Sequence, residues 1–218
     1  MAVTKSKPML AMDAVASEVR LFLKQSVFRS RARAFNRISS DGLTHVIDFQ
    51  MGRFDPPGTQ YVGFRKNWYG KFTVNLGIYV PEVARLINVG GERRFVREYD
   101  CCIRTRLGSL GPEASDMWWD LEAGHESVPY LLERFSKDAF PFFARFETRD
   151  DFLSQRRETA KYLRDNPSRI DCAIILATRG QRAEARDFLM AEAHESRTHP
   201  RLPFVLRIAE KLGIDLDS

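Results

Sequence analysis

Residues 71–80, KFTVNLGIYV, alternate without a break. Phe72, Val74, Leu76, Ile78 and Val80 are apolar, and Lys71, Thr73, Asn75, Gly77 and Tyr79 stand between them. Such period-two alternation predicts a β-strand with one face on a core. A lone strand is not stable, so this run requires neighbours of matching pattern. Ser40-Asp41-Gly42 separates FRSRARAFNRIS from LTHVIDFQ, and Asp-Gly between two extended runs signals a hairpin. In the second run Leu43, His45, Ile47 and Phe49 share one face, while Val46, Asp48 and Gln50 share the other. RFVREYDCCIRTRLGSL, residues 94–110, reads as a further strand. Strands joined by tight turns are antiparallel neighbours.

Helical spacing precedes and follows these strands. Leu10, Val15, Val19, Leu21, Phe22 and Leu23 predict a helix of about five turns over residues 9–27. Pro81 and Glu82 open a short helix, since proline suits a first helical position. Asp55-Pro56-Pro57-Gly58 predicts a turn. From about Glu126 the pattern is helical to the end, interrupted at Pro141, at Asp165-Asn166-Pro167-Ser168 and at Gly180. Ala173, Ala177, Ala183 and Ala185 form a small-residue seam like that of one tetratricopeptide hairpin, although a solenoid needs about three repeats. The fold class is therefore α+β: an N-terminal helix packed on an antiparallel sheet of four or slightly more strands, followed by C-terminal helices. We divide the chain into a sheet domain, 1–125, and a helical region, 126–218, packed on the same core. The first helix covers one face of the sheet, with Asn75 and Tyr79 pointing outward or under later segments. The C-terminal helices are available to cover the second face.

The chain of 218 residues has sixteen Phe and three Trp, ample material for a core. Its net charge of +5 is unevenly spread: residues 1–75 hold 12 Lys/Arg against 5 Asp/Glu, and the rest hold 22 against 24. The basic run Arg29, Arg31, Arg33 and Arg37 suits a solvated edge, or an acidic or phosphate-bearing partner. The three cysteines, Cys101, Cys102 and Cys172, make no disulfide framework and read as core residues in a reducing, cytoplasmic setting. Asp13 interrupts the apolar N-terminus, which argues against a secretory signal, and no apolar run is long enough to span a membrane. No cofactor or metal motif is found: GxGxxG, a P-loop, HExxH, GxSxG and Cys/His spacings are all missing. His45 reads as structural, because a general base needs a partner and none is evident. Asp48 and Asp100 on neighbouring strands are the best acid pair, although exposed strand charges are far commoner. In Trp118-Trp119 the side chains of an extended segment point opposite ways, so one enters the core and the other could anchor a partner, although core or sheet-edge packing is the commoner role for both.

The order of RAFNRIS…THVIDFQMGRF, KFTVNLGIYVP, CCIRTRLGSL, DMWWDL and PFFARF resembles a bacterial family, the domain-of-unknown-function family numbered 4304, over about residues 10–155. Its pattern opens on a helix ending in Gly-Phe, where this chain has Val27-Phe28. Phe49-Gln50, Asn75-Leu76-Gly77, Arg106-Leu107-Gly108 and Trp118 match its later elements. The resemblance implies a bacterial, cytoplasmic, cofactor-free α+β domain and transfers no catalytic residues. By analogy of type, small proteins of this sort serve as immunity proteins beside toxins.

Three functions follow in order. The first is a non-catalytic protein-binding module, including an immunity-type inhibitor, whose surface carries Arg31, Arg33, Arg37, Asn75, Tyr79, Trp118 and Trp119. The second is nucleic-acid binding through Arg29, Arg31, Arg33, Arg37, Arg65 and Lys66, with Phe64, Trp68 and Tyr69 interleaved. The third is an enzyme with an unrecognised site in a cleft between the sheet and the C-terminal helices.

Overall fold

A computed structural model describes residues 6–52, 58–60, 62, 67–88, 91–111, 115–158 and 166–216. Helix α1 (Lys7–Gln25) buries Met12, Val15, Ala16, Val19 and Leu23, one stripe at helical spacing. Leu10 and Leu21, expected on that stripe, face solvent. Val27 ends the helix in the left-handed region, with φ 66°. Its N–H donates to the Lys24 carbonyl and the Phe28 N–H to the Leu23 carbonyl, the bond pattern of a Schellman cap. Glycine normally fills that position, because a β-branched residue at positive φ is strained.

The run expected as one first strand is two, β1 (Arg29–Arg31) and β2 (Ala34–Ile38), folded back at Ala32, whose φ is 52°. β3 (Thr44–Met51) follows the Asp41-Gly42 turn, and β4 (Lys71–Tyr79) is the alternating strand. Helix α2 (Pro81–Ile87) starts at Pro81 as expected. Then come β5 (Ile103–Arg106) and β6 (Trp119–Asp120). All pairings are antiparallel in the order β1-β2-β3-β4-β5, with β6 also on β4, so the sheet has six strands. β5 and β6 divide the edge of β4: Asn75–Ile78 pairs with β5, and Lys71–Phe72 with β6.

Only Ile103–Arg106 of residues 94–110 joins the sheet. The part before it crosses the second face instead, because side chains occupy its backbone. Asn36 donates to the Val96 carbonyl at 2.9 Å and accepts from the Val96 N–H at 2.8 Å, and the Asp100 carboxylate accepts from the Arg97 N–H at 3.1 Å.

The helical part comprises α3 (Gly124–Arg134), a π-helical turn at Phe135–Ala139, α4 (Phe140–Ala144), α5 (Arg149–Glu158), α6 (Arg169–Thr178), α7 (Arg182–Glu195) and α8 (Leu202–Leu212). Pro141 has no N–H for the helical ladder, and the widened turn just before it lets Phe140 donate to the Phe135 carbonyl. Ser168 caps α6 in a reciprocal box with Asp171, and Gly180 at φ 80° separates α6 from α7. Ala173 and Ala185 are buried between the helices, Ala177 is half-buried, and Ala183 is exposed.

Phe72, Val74, Leu76, Ile78 and Val80 belong to one core cluster with α1, the Phe-rich turn and α6. Phe49 meets Phe135 edge-on at 6.4 Å, and His45 stacks on Phe143 at 4.8 Å. The C-terminal helices therefore cover the same face as α1, a correction to the expectation that they close the second face. A smaller cluster, Val46, Tyr79, Ala84, Val96 and Cys101, lies on the second face. β4 is thus covered on both sides. Asp55, Pro56 and Pro57 of the expected turn, Asp165, and Phe64, Arg65 and Lys66 lie outside the described residues.

Gly77 marks where the covering segment presses on β4. A Cβ there would stand 2.5 Å from the Cys101 sulfur and 2.8 Å from its Cβ, too close for any side chain. Gly77→Ala is expected to lower stability by roughly 2 kcal/mol, read as a lower denaturant midpoint at unchanged slope. An unchanged midpoint would show that the Cys101 segment does not bear on β4.

Candidate functional site

The second face of the sheet carries Thr44, Val46, Asp48 and Gln50 from β3, with Thr73, Asn75, Gly77 and Tyr79 opposite them on β4 and Arg104 and Arg106 on β5. Strand alternation alone puts these side chains together. The covering segment adds Arg97 and Glu98. Asp48 accepts a two-pronged pair of bonds from Arg97, at 2.7 and 2.9 Å, and one from the Glu98 N–H at 3.3 Å. Glu98 accepts a second fork from Arg104, at 2.5 and 3.1 Å. These bonds raise the pKa of both guanidinium groups. Asn75 donates to the Gln50 side-chain carbonyl at 2.8 Å.

Around these groups lies an open polar trough of two adjoining hollows, about 440 and 630 Å³, that share Gln50, Asn75, Glu98 and Arg104. At one end Arg106 pairs with Asp116 and lies over the Trp118 ring, 5.3 Å from its centroid. Trp118 in turn stacks on Trp68 at 4.7 Å. At the other end Arg33 is bonded to Asp13 at 2.8 Å. In both forks the carboxylate is sunk and the guanidinium is reachable: the Asp48 side chain is 6% exposed and that of Arg97 43%.

The seven expected surface residues separate into distinct roles. Asn75 and Arg33 line the trough, and Trp118 borders it under Arg106. Tyr79, 2% exposed, is a packing residue whose hydroxyl accepts from the Arg93 N–H. Trp119, 9% exposed, packs on Phe72 in the first-face core. Tyr79 and Trp119 therefore serve chiefly as packing residues. Arg31 is exposed on β1. Arg37 is tied to Glu147 at 2.6 Å and donates to Nδ1 of His45.

Asp48 and Asp100, the expected acid pair, are both held by Arg97, one by its side chain and the other by its N–H. Asp100 sits in a 3₁₀ turn, Glu98–Asp100, and not in a strand. Arg97 and Glu98 have no periodic signal, whereas the polar alternation of Asp48, Gln50, Asn75, Arg104 and Arg106 is visible in the strands. Burial pushes the thiols of Cys101 and Cys102 well above the ordinary range. Among the described residues no three His, Cys, Asp or Glu side chains converge to hold a metal ion. No helix among them is long and apolar enough to cross a membrane.

The model of the family described as Domain of unknown function (DUF4304) matches residues 53–145, the family that the ordered motifs resemble. The matched stretch contains β4 to β6, the covering segment and the helical run through α4, and so most of the trough lining. β1 to β3 precede it and α5 to α8 follow it. No curated protein and no solved structure matches the chain.

His45 is fully buried on the first face, its Nε2 bonded to the Phe146 carbonyl at 2.9 Å. Burial, chiefly, lowers its pKa to about 4, with the Arg37 charge adding to the shift. The neutral ring is the folded form, so its stabilising effect is complete above pH 6.5 and lost as pH falls through 4. Asp171, its pKa raised by burial to about 6, works in the opposite sense: its contribution is complete below its unfolded value of 3.8 and lost as pH rises through 6. Relative to His45→Gln, the native chain should lose about 3 kcal/mol between pH 7 and pH 4, measured by urea unfolding at each pH. Parallel curves for the two proteins would show that His45 does not titrate against the fold.

Proposed function

We propose that the chain is a non-catalytic binding module that receives a segment of another polypeptide in the second-face trough. The observation behind this reading is the pairing pattern of the lining, two carboxylate–guanidinium forks together with the Asn75–Gln50 amide pair. Arg97, Arg104 and Arg106 are balanced by Asp48, Glu98 and Asp116. A balanced lining favours neither a polyanion nor a metal ion. It suits a peptide, whose backbone can bond to side-chain amides and whose own charges can exchange places in the forks. Trp118 under Arg106 supplies the residue types that dominate binding energy at interfaces. An inhibitor of the immunity type would use the same surface. The three free thiols fit a reducing cytoplasm, in a bacterial cell as the family resemblance implies.

Nucleic-acid binding is the second reading. Arg29 and Arg31 favour it, since both are exposed on β1. Arg33 and Arg37 count against it, since their charges are already met by Asp13 and Glu147.

The test is affinity capture on the full chain from a lysate of its source, with nuclease, comparing the native protein with Gln50→Ala/Arg106→Glu. Both positions lie at the trough surface, where substitution leaves the core intact. A stoichiometric protein retained by the native chain and lost with the variant is the expected result. Material removed by nuclease would favour the nucleic-acid reading. A captured protein indifferent to the variant, or an empty eluate, would overturn the trough assignment.

A further inference from the structure

Away from the trough, the second face has another hollow, about 380 Å³, between the β1–β2 hairpin and residues 92–96. Its floor is finished: Asn36 is bonded to both polar groups of the Val96 backbone, and the Tyr79 hydroxyl accepts from Arg93. Its rim is not. Val27 is 74% exposed and Ile38 68%, with Phe95 half-buried across from them. Three apolar side chains thus border one hollow, two of them largely open to solvent.

Charge around this hollow runs one way. Arg29 and Arg94 line it, and Arg31 follows on the same face of β1; none of the three has an ion pair among the described residues. Glu92, the one acid in the lining, is held by Arg85 at 3.2 Å. Arg93 lies 3.8 Å from Asp100. The rim therefore presents uncompensated positive charge beside exposed apolar groups. Val27 adds an independent sign. It holds a left-handed backbone that glycine would adopt without strain, costing about 1–2 kcal/mol, and strain kept at an exposed position points to use.

We infer that this hollow is a docking groove for an acidic polypeptide segment carrying an apolar anchor. The anchor side chain enters between Val27, Ile38 and Phe95, and flanking carboxylates meet Arg29, Arg31 and Arg94. A nucleic acid would meet the arginines and one half-buried ring, Phe95, whereas bases need exposed aromatic faces to stack on.

The probes are fluorescein-labelled nonapeptides of Asp and Glu with one central Leu or Phe. The controls are the same peptides with Ala at the centre, their Lys counterparts and a nine-nucleotide single-stranded DNA. Binding to the full chain is followed by anisotropy. The expected result is binding of the acidic, apolar-centred peptides, at least tenfold weaker with Arg29→Glu/Arg94→Glu and at least threefold weaker with Ile38→Ser. Val27→Gly separates docking from folding: it should raise the denaturant midpoint and still weaken the peptide. Equal binding of the Ala-centred peptides, binding of the DNA alone, no binding of any probe, or full affinity in Val27→Gly would each overturn the groove.

Discussion

Burial of β4 on both faces is the constraint on which the rest of this structure depends. A strand at the middle of an antiparallel sheet ordinarily leaves one face to solvent, and its alternation says so. Here the apolar face meets the helices, and the polar face meets a segment that is neither helix nor strand. That segment approaches so closely that Gly77 has no room for a side chain above it. It is held by what the strands offer it: the Asn36 amide, the Tyr79 hydroxyl and the Asp48 carboxylate. By crossing the middle of the face it leaves a hollow on either side, one walled by ion pairs and one by apolar side chains.

Most elements were legible because their signals are local. Period two marked β4, Asp41-Gly42 marked the turn before β3, and Pro81, Ser168 and Gly180 marked helix ends. What escaped depends on partners far away in sequence. Residues 94–102 look like strand, since Phe95, Val96 and the two cysteines are apolar or small. Their backbone groups bond instead to Asn36, sixty positions earlier, and to a capping aspartate. Propensity cannot register that competition. Likewise nothing local announces a turn at Ala32 or a helix end at Val27, because both use positive φ without glycine. The alternation of β3 and β4 put Asp48, Gln50 and Asn75 on the faces turned away from the first-face core. Arg97 and Glu98, which complete the site, belong to the stretch whose path was misread.

The first face shows how one polar residue is accommodated in an apolar layer. His45 lies among phenylalanines, yet both its nitrogens are used, one toward the Phe146 carbonyl and one toward Arg37. Arg37 then reaches Glu147, so a buried neutral ring is linked to a half-exposed ion pair. The arrangement joins β2 and β3 to the end of α4 at a point where apolar contact alone would leave a carbonyl without a donor.

The second face follows a different economy. Sinking Asp48 and Glu98 beneath their arginines costs desolvation that the forks only partly offset, and apolar residues of similar size would stabilise the same sheet as well or better. The forks do not repay that cost through the solvent-facing guanidinium groups either, because half-exposed ion pairs contribute little. A fold selected for stability alone would have extended the Val46, Tyr79 and Val96 cluster across the whole face. The polar trough sits where that extension stops. Local departures from the rules of packing are expected at sites of use, and here the departure is confined to the hollow that the covering segment leaves open. Val27 departs in the same way beside the other hollow, holding a strained backbone where glycine would be free of strain. Both departures border open space on the second face.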